Sequence, residues 1–384
     1  MATFPNVLTT KFLDAMVKER PTSEALRAQY IGRRFFPEKD IGEYQVLWDV
    51  VRAANRIAGI YSMDGTPIPG DDPGFYQIMA DVMNVMAARK LDEEAVMTLR
   101  EPGELAIKSR VLANKRNKAL RHVRTKLASA DDEVEATIEY LCLQALQGTI
   151  TWPPKDDDGN TITSAPAYWG NASITLDLEF RANFKQDVSS LSGYNSRSGG
   201  GYNWKHASAD PILDLEVVRD LMANTIHMPI RGATVIMGED VLSYMATRPN
   251  VINWFKGTDT GQRFVNYPDL QDFLETKLGY NILTYSAVWT YETNLGSESG
   301  VTENHVHFLK PGKVIIIPPG ALGGDIAYLA TAPTAGPDQS YKPGKYTWID
   351  VMKKPPWTTE LGVGIKGFPV LKSSQEVFVL DVFN

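Results

Sequence analysis

The sequence predicts an α+β fold with two cores, and the order of its parts carries that prediction. One long stretch of helical periodicity ends near Gly148, strand-like segments follow it, and similar strand-like segments return at the C-terminal end. Between them lies a stretch in which helix and strand patterns alternate, a different grammar from either flank. With 384 residues the chain is long for one compact core, so two domains, or one domain with extended appendages, are expected from size alone.

The helix is the clearest element. Val134, Ile138, Leu141, Cys142, Ala145 and Leu146 recur on one face until Gly148 ends the run. Ser129 followed by Asp131, Asp132 and Glu133 has the form of an N-cap with an acidic first turn. Upstream, Leu112, Leu120, Val123 and Leu127 extend the pattern, so the pieces read as one long helix with a weak point at Ser129. At about 1.5 Å per residue it would span on the order of 60 Å.

After the helix come "GTITW", "NTITSAPAYW" and "ASITLDLEF", with alternation at Ile174, Leu176, Leu178 and Phe180. Glycine and serine then crowd "SSLSGYNSRSGGGYNW", which places a domain boundary. Beyond it, Asp210 and Pro211 start a helix carrying Leu215, Val218 and Met222. "ATVIM" reads as a buried strand, "EDVLSYMAT" as a helix, "PDLQDFLETKL" as a helix capped by Gly279, and "YNILTYSAVW", "HVHFL" and "KVIIIPP" as strands. "KYTWIDVMKK", "ELGVGIKGFPVLK" and "EVFVLDVF" are β-rich again, so the chain leaves one domain, builds a second and returns.

The first hundred residues lack the density of a core. Short amphipathic pieces alternate with "RPTSE", "FFPEKDIGEY" and "MDGTPIPGDDPGFY", which are rich in turn formers, as an extended arm and a long loop would be. Met79, Val82, Val85 and Met86 suit helix spacing, and a two-stranded loop fits them as well.

Composition excludes several functions. An apolar fraction of 43% and a charged fraction of 22% are those of an ordinary globular protein. A net charge of −7 argues against a nucleic-acid-binding domain of the usual kind, which needs a surplus of Lys and Arg. The single cysteine, Cys142, excludes an intrachain disulfide and sits on the apolar helix stripe, so it reads as core rather than nucleophile. Lys11, Asp14, Lys18 and Glu19 interrupt the N-terminal apolar residues, and no run approaches the roughly 18 apolar residues of a membrane span. The expectation is a protein folded and used in the cytoplasm in which it is made, without membrane contact.

No candidate site assembles into an active centre. Asp156, Asp157 and Asp158 precede Gly159, but a calcium loop with glycine at its sixth position would begin at Pro154 and end at Ala165, which are not ligands. A hairpin tip between near-mirrored "TIT" arms explains the same letters, with Asp158-Gly159-Asn160 as turn residues. Gly362, Gly364 and Gly367 spell a dinucleotide fingerprint, but strand-like sequence follows where that motif requires a helix. His305 and His307 share a strand face without a third ligand nearby. Neither "KPGKV" nor "KPGKY" has the second glycine of a phosphate-binding loop. No metal, cofactor or catalytic residue is therefore assigned. Lys108, Arg110, Lys115, Arg116, Lys118, Arg121, Arg124 and Lys126 form one basic cluster, which is either a solvated helix face or a surface that meets acidic neighbours or packaged nucleic acid.

This order of parts resembles the major capsid proteins of tailed bacteriophages with the Hong Kong 97-type fold, and within them the lambda-like capsid protein E family. The resemblance is carried by "LRHVRTKLASADDEVEATIEYLCLQALQGTITW", similar to a spine helix running into a hairpin, and by "ATVIMGEDVLSYMATRPNVINWF", similar to a strand–helix pair. "YNILTYSAVW", "KVIIIPPGALGGDIAYLATAP" and the ending "FPVLKSSQEVFVLDV", which resembles a return strand, complete it over most of residues 105–384. It implies an N-terminal arm at 1–55, an E-loop at 56–100, a P-domain at 101–205 with the spine helix and hairpin, an A-domain at 206–335, and P-domain return strands at 336–384.

It further implies a shell protein without catalysis, self-assembling as hexamers and pentamers into an icosahedral head around double-stranded DNA, assembled in the host cytoplasm. Its partners would be other copies, a separate scaffolding protein, the portal, a decoration or cement protein, and DNA bound without sequence preference. The arm and loop would bury Tyr61, Ile68, Phe75, Tyr76 and Met79 on a neighbour, while Arg116, Lys118, Asp156, Asp157 and Asp158 are the charged contact candidates. The alternatives are a metal-dependent two-domain hydrolase and another phage structural protein of the tail or connector.

Overall fold

The computed structural model describes residues 30–51, 75–92, 112–162, 169–170, 172–191, 203–226, 230–256, 264–293, 302–319, 326–335, 341–351 and 358–383. A short helix α1 (Gly32–Phe35) leads into β1 (Glu38–Asp40), β2 (Gln45–Val51), β3 (Phe75–Asp81) and β4 (Met83–Asp92). Residues 79–86 thus take the stranded alternative, with β3 pairing β2 and β4 pairing a later strand.

Helix α2 (Leu112–Leu146) follows as 35 unbroken residues, about 52 Å long at 1.5 Å per residue. The expected weak point at Ser129 is absent. Val123, Leu127, Ala130 and Val134 make a continuous buried stripe across it, and that burial outweighs the capping tendency of one serine. The acids taken as a first turn lie mid-helix instead, where Asp131 meets Lys345 and Glu133 meets Arg89. Toward its C-terminal end the stripe widens until Tyr140, Leu141, Cys142 and Leu143 are all buried.

β5 (Thr149–Trp152) pairs with β6 (Ile174–Asp177), Ile150 opposite Leu176. The two "TIT" arms were expected to pair with each other. The first arm pairs with β6 instead, and the tip is closed past it by the Lys155–Thr161 bridge, because Pro153 and Pro154 end β5 and carry no N–H for a ladder. Then come β7 (Lys185–Asp187), α3 (Pro211–Ile226), β8 (Thr234–Met237), α4 (Glu239–Thr247), α5 (Pro249–Lys256) and α6 (Tyr267–Leu278). Gly279 ends α6 at φ 73°, the left-handed cap its sequence predicts. The rest is β9 (Asn281–Thr284), β10 (Val288–Thr293), β11 (Thr302–His307), β12 (Lys313–Ile317), β13 (Ala327–Thr331), β14 (Thr334–Ala335), β15 (Tyr341–Lys342), β16 (Lys345–Val351), β17 (Thr358–Leu371) and β18 (Phe378–Asp381).

Two sheets organise these elements. In the first, the 14-residue β17 has β4 along one edge and β16 followed by β13 along the other, with β1 parallel to β13 outside it. Its inner face, Leu361, Val363 and Ile365, is buried in the core that also holds the α2 stripe. The second sheet runs β7-β18-β12-β8-β9.

Successive residues of its strands bury on opposite sides. Val235, Met237, Val314, Ile316, Phe378 and Leu380 join the core of α3, α4 and α6, while Ile236, Ile315, Ile317 and Val379 join the core of α2. A strand wetted on neither face has no reason to alternate, which is why Val314–Ile317 is continuously apolar. "FPVLKSSQEVFVLDV" was expected to return wholly to the first unit. It divides: Phe368–Leu371 stays in the first sheet, and Phe378–Asp381 enters the second between β7 and β12.

Candidate assembly surfaces

The hairpin of β2 and β3 shows period-two burial. Val46, Trp48, Val50 and Ile78 face inward, with the Trp48 ring 6.0 Å from that of Phe368. Outward, Leu47 stands opposite Met79, and the two remain 58% and 62% exposed. Polar rungs flank this pair, Gln45 Nε2 donating to Asp81 Oδ1 at 2.9 Å and Gln77 Nε2 to Asp49 Oδ1 at 3.3 Å. An apolar cross-strand pair is thus left open to water between satisfied polar neighbours.

The first sheet's outer face adjoins it. Gly362 and Gly364 leave room on β17 for the rings of Trp348 and Tyr346: a Cβ on Gly364 would lie 2.7 Å from the Tyr346 ring, and one on Gly362 would fall within that of Trp348. The two rings, 5.9 Å apart, therefore lie low over the strand, and Tyr346 donates to Asn84 Oδ1 at 2.7 Å. This is the close approach that the glycine spacing allows, in a strand and with no nucleotide geometry. Met86 and Tyr44 extend the exposed apolar surface, with Lys366 Nζ 4.7 Å from the centre of the Tyr44 ring. A second group lies on the other unit, where Trp254, Phe264 and Tyr267 of α5, α6 and their connection are exposed and Lys277 Nζ stands 3.3 Å from the Trp254 ring.

The acidic tip is less uniform than its sequence. Asp156 shapes the turn, its Oδ1 accepting from Asn160 N at 2.7 Å. Asp157 accepts from His307 N at 3.0 Å and lies 2.7 Å from His307 Nδ1, which ties the tip to β11 of the same chain. Asp158 is exposed. His307 is thus engaged by a carboxylate, and among the described residues no group of three or more His, Cys, Asp or Glu side chains is placed to hold a metal ion.

The basic and aromatic candidates are placed unevenly. Arg116 and Lys118 belong to α2, but their side chains, like those of Phe75 and Tyr76 in β3, lie outside the described residues. Tyr61 lies outside them altogether. Arg121 and Arg124 are exposed on α2, and nearby His122 is held below its ordinary pKa by burial and by Lys126. Cys142 is fully buried, which pushes its thiol well above its ordinary pKa and suits packing rather than reaction. Among the described residues no helix is long and apolar enough to cross a membrane.

One interior group was not anticipated. Glu139, 1% exposed, accepts from Ile31 N at 2.9 Å, from Gly32 N at 2.8 Å and from the Tyr285 hydroxyl at 2.9 Å. Burial raises its pKa, against the lowering effect of these donors. One turn earlier, burial works against the charge of Glu135, but Arg33 and Lys345 hold its carboxyl below the ordinary value. The sequence pattern alone assigns these glutamates no role. The cue in the sequence is spacing: Glu135 and Glu139 lie seven and three residues before Cys142, on the side of α2 that the apolar stripe occupies.

The arrangement of a long helix under a one-sided sheet, joined to a second sheet whose last strand comes from the C-terminal region, is a phage shell-protein fold. A protein assigned as a prophage capsid protein of E. coli CFT073 shares it at a TM-score of 0.54 and 12% identity, over 98% of this chain and 99% of that one. Looser likenesses are the capsid of Ralstonia phage GP4, at 0.47 and 10% identity over 93% and 90% of the chains, and a phage-related protein of Bordetella bronchiseptica RB50, at 0.45 and 12% identity over 97% and 96%. The fold is of the Hong Kong 97 type. The chain belongs to the phage major capsid protein E family, whose model matches residues 9–366. It is a capsid shell protein of the virion, and a structural role rather than catalysis is what the family implies. No curated protein matches the chain in sequence.

Proposed function

We propose that copies of this chain assemble as hexamers and pentamers into an icosahedral head enclosing packaged double-stranded DNA, built in the host cytoplasm with a separate scaffolding protein. The portal and a decoration or cement protein are the further partners of this reading, and no step of it requires catalysis. The observation that supports it best is the exposed Leu47–Met79 pair beside the aromatic-roofed face of the first sheet. A shell subunit needs apolar area that only a neighbour covers, and rings closed by one repeated contact join two different surfaces of the same chain.

In this reading residues 1–55 are an arm and 56–100 an E-loop, both rooted in the chain's own first core through residues such as Trp48, Ile78 and Leu91 and reaching from there over the adjacent subunit, with Tyr61, Phe75, Tyr76 and Met79 as apolar contacts. Residues 101–205 and 336–384 make the P-domain and 206–335 the A-domain, whose exposed Trp254 and Phe264 face the capsomer axis. Arg116 and Lys118 meet acidic neighbours or DNA. Asp158, with Asp156 and Asp157 behind it, faces basic groups of an adjoining capsomer.

The test replaces Leu47 and Met79 together by Asp. The expected outcome is a subunit with an unchanged cooperative melt that forms no shells by electron microscopy and sedimentation, with or without its scaffold. Shells of wild-type size and yield from that variant would defeat the assignment of this surface.

A further inference from the structure

The interior holds a junction that the shell function leaves unassigned. Residues 30–36 run along α2 before β1 begins, with Ile31, Phe35 and Phe36 buried and the Tyr30 ring 5.6 Å from that of Phe308, edge-on. Their backbone is held by one side chain. Glu139 Oε1 accepts from Ile31 N, from Gly32 N at 3.0 Å and from the Tyr285 hydroxyl, while Oε2 takes Gly32 N at 2.8 Å. Gly32 is required by this approach, since a Cβ there would lie 2.5 Å from Oε2 and 2.9 Å from the Cβ of Cys142.

Tyr285 follows β9 and donates its own backbone N–H to Met237 O, 2.9 Å away at the end of β8, so it belongs to the second sheet. One oxygen thus serves the strap and a side chain whose backbone is fixed to the second sheet. The other ionisable groups around it are Glu135 and Cys142 on α2, Tyr30 and Arg33 on the strap, and Lys345 on β16, which reaches Glu135.

We propose that Glu139 is a positioning residue for shell assembly, coupling the seat of the strap, from which the chain N-terminal to Tyr30 departs, to the second sheet through Tyr285. The hydroxyl sets the rotation of the carboxylate, and the carboxylate presents its oxygens to the Ile31 and Gly32 amides. An acceptor-only anion suits this task because every partner donates. Retaining a charge in the core is explained by the geometry it fixes, since burial of that charge alone is unfavourable.

The experiment is site-resolved hydrogen exchange on full-length Tyr285→Phe and Gly32→Ala, read beside shell yield and size. Tyr285→Phe removes only a hydroxyl that donates to Glu139 and no bond to the strap backbone, yet exchange at Ile31 and Gly32 should rise about tenfold or more, the scale expected for a lost hydrogen bond to a charged group. Because coupling is reciprocal, Gly32→Ala should raise exchange at the Tyr285 amide. Both should lower the yield of closed shells or broaden their size.

Unchanged exchange at Ile31 and Gly32 in Tyr285→Phe, or at Tyr285 in Gly32→Ala, overturns the coupling. Raised exchange with wild-type shells overturns the assembly role. One change removes a single hydroxyl and the other adds a single methyl on a different segment, so failure of one variant to fold leaves the other decisive. The exchange readout stands apart from that of the Leu47 and Met79 surface, so either result can fail alone.

Discussion

The two sheets meet the same solvent in opposite ways. The second is closed on both faces, between α3, α4 and α6 on one side and the α2 core on the other, and after their first residues its strands β8 and β12 are apolar throughout. The first packs one face on α2 and leaves the other with Met86, Tyr346 and Trp348 over a glycine aisle, beside the open Leu47–Met79 pair. A sheet wetted on one side can gain by covering that side with another copy, whereas one buried on both sides serves as a wall. The difference separates what keeps the subunit folded from what is available to join subunits.

That contrast can be broken by experiment, beginning with the wall. Phe378→Ala empties a position at 0% exposure in the middle of the second sheet, and unfolding of the unassembled subunit in urea should show a loss of about 3–5 kcal/mol. Next is the ion cluster beneath the first sheet, where Lys345 meets both Asp131 and Glu135 while Arg33 Nη2 stands 3.2 Å from Glu135. Lys345→Met takes the lysine from Asp131 and leaves Glu135 with Arg33 alone. With Lys345 at 19% exposure, the same measurement should give about 2–3 kcal/mol, less than a fully buried pair.

The acid side of that cluster has a definite sign. The folded pKa of Glu135 is depressed, so its stabilisation is present above its ordinary value of 4.5 and is lost as pH falls through the lower folded value. Glu139 is raised, so its favourable contribution holds below 4.5 and is lost as pH rises through the higher folded value. Urea midpoints across that range should therefore move oppositely for Glu135→Gln and Glu139→Gln, each relative to wild type.

A smaller effect is expected on the open face. Gly362→Ala must displace the Trp348 ring and sits 2.6 Å from the carbonyl oxygen of Ala87, which should cost about 1–3 kcal/mol by thermal melting. Smallest for the isolated subunit is Leu47→Asp, within about 0.5 kcal/mol because the side chain is already exposed, although assembly should fail.

Legibility in the sequence follows the same division. The strands of the wall and the helix stripe were readable because burial imposes a pattern on letters, as in "ATVIM", "KVIIIPP" and the run from Val134 to Leu146. Ser129 misled because a local capping preference is weaker than the stripe that crosses it. The pairing of β5 with β6 across an intervening loop, and the division of the C-terminal segment between sheets, depend on contacts distant in sequence, which local pattern does not encode. The Glu139 junction was hidden for a related reason. A glutamate on a helix looks solvated until the backbone that covers it, here Ile31 and Gly32, is known.

The seat of β18 also sets an order of events during synthesis. β8, β9 and β12 leave the ribosome before Phe378–Asp381, and until that strand arrives β12 has an empty partner edge and the cores on both sides of the sheet are incomplete. A nascent chain of this protein therefore carries an apolar strand with one unpaired edge while the segment from Pro318 to Val377 is being made. Edge strands of that kind are where chains pair wrongly, so the interval before β18 closes the sheet is when the protein most needs protection from its own copies.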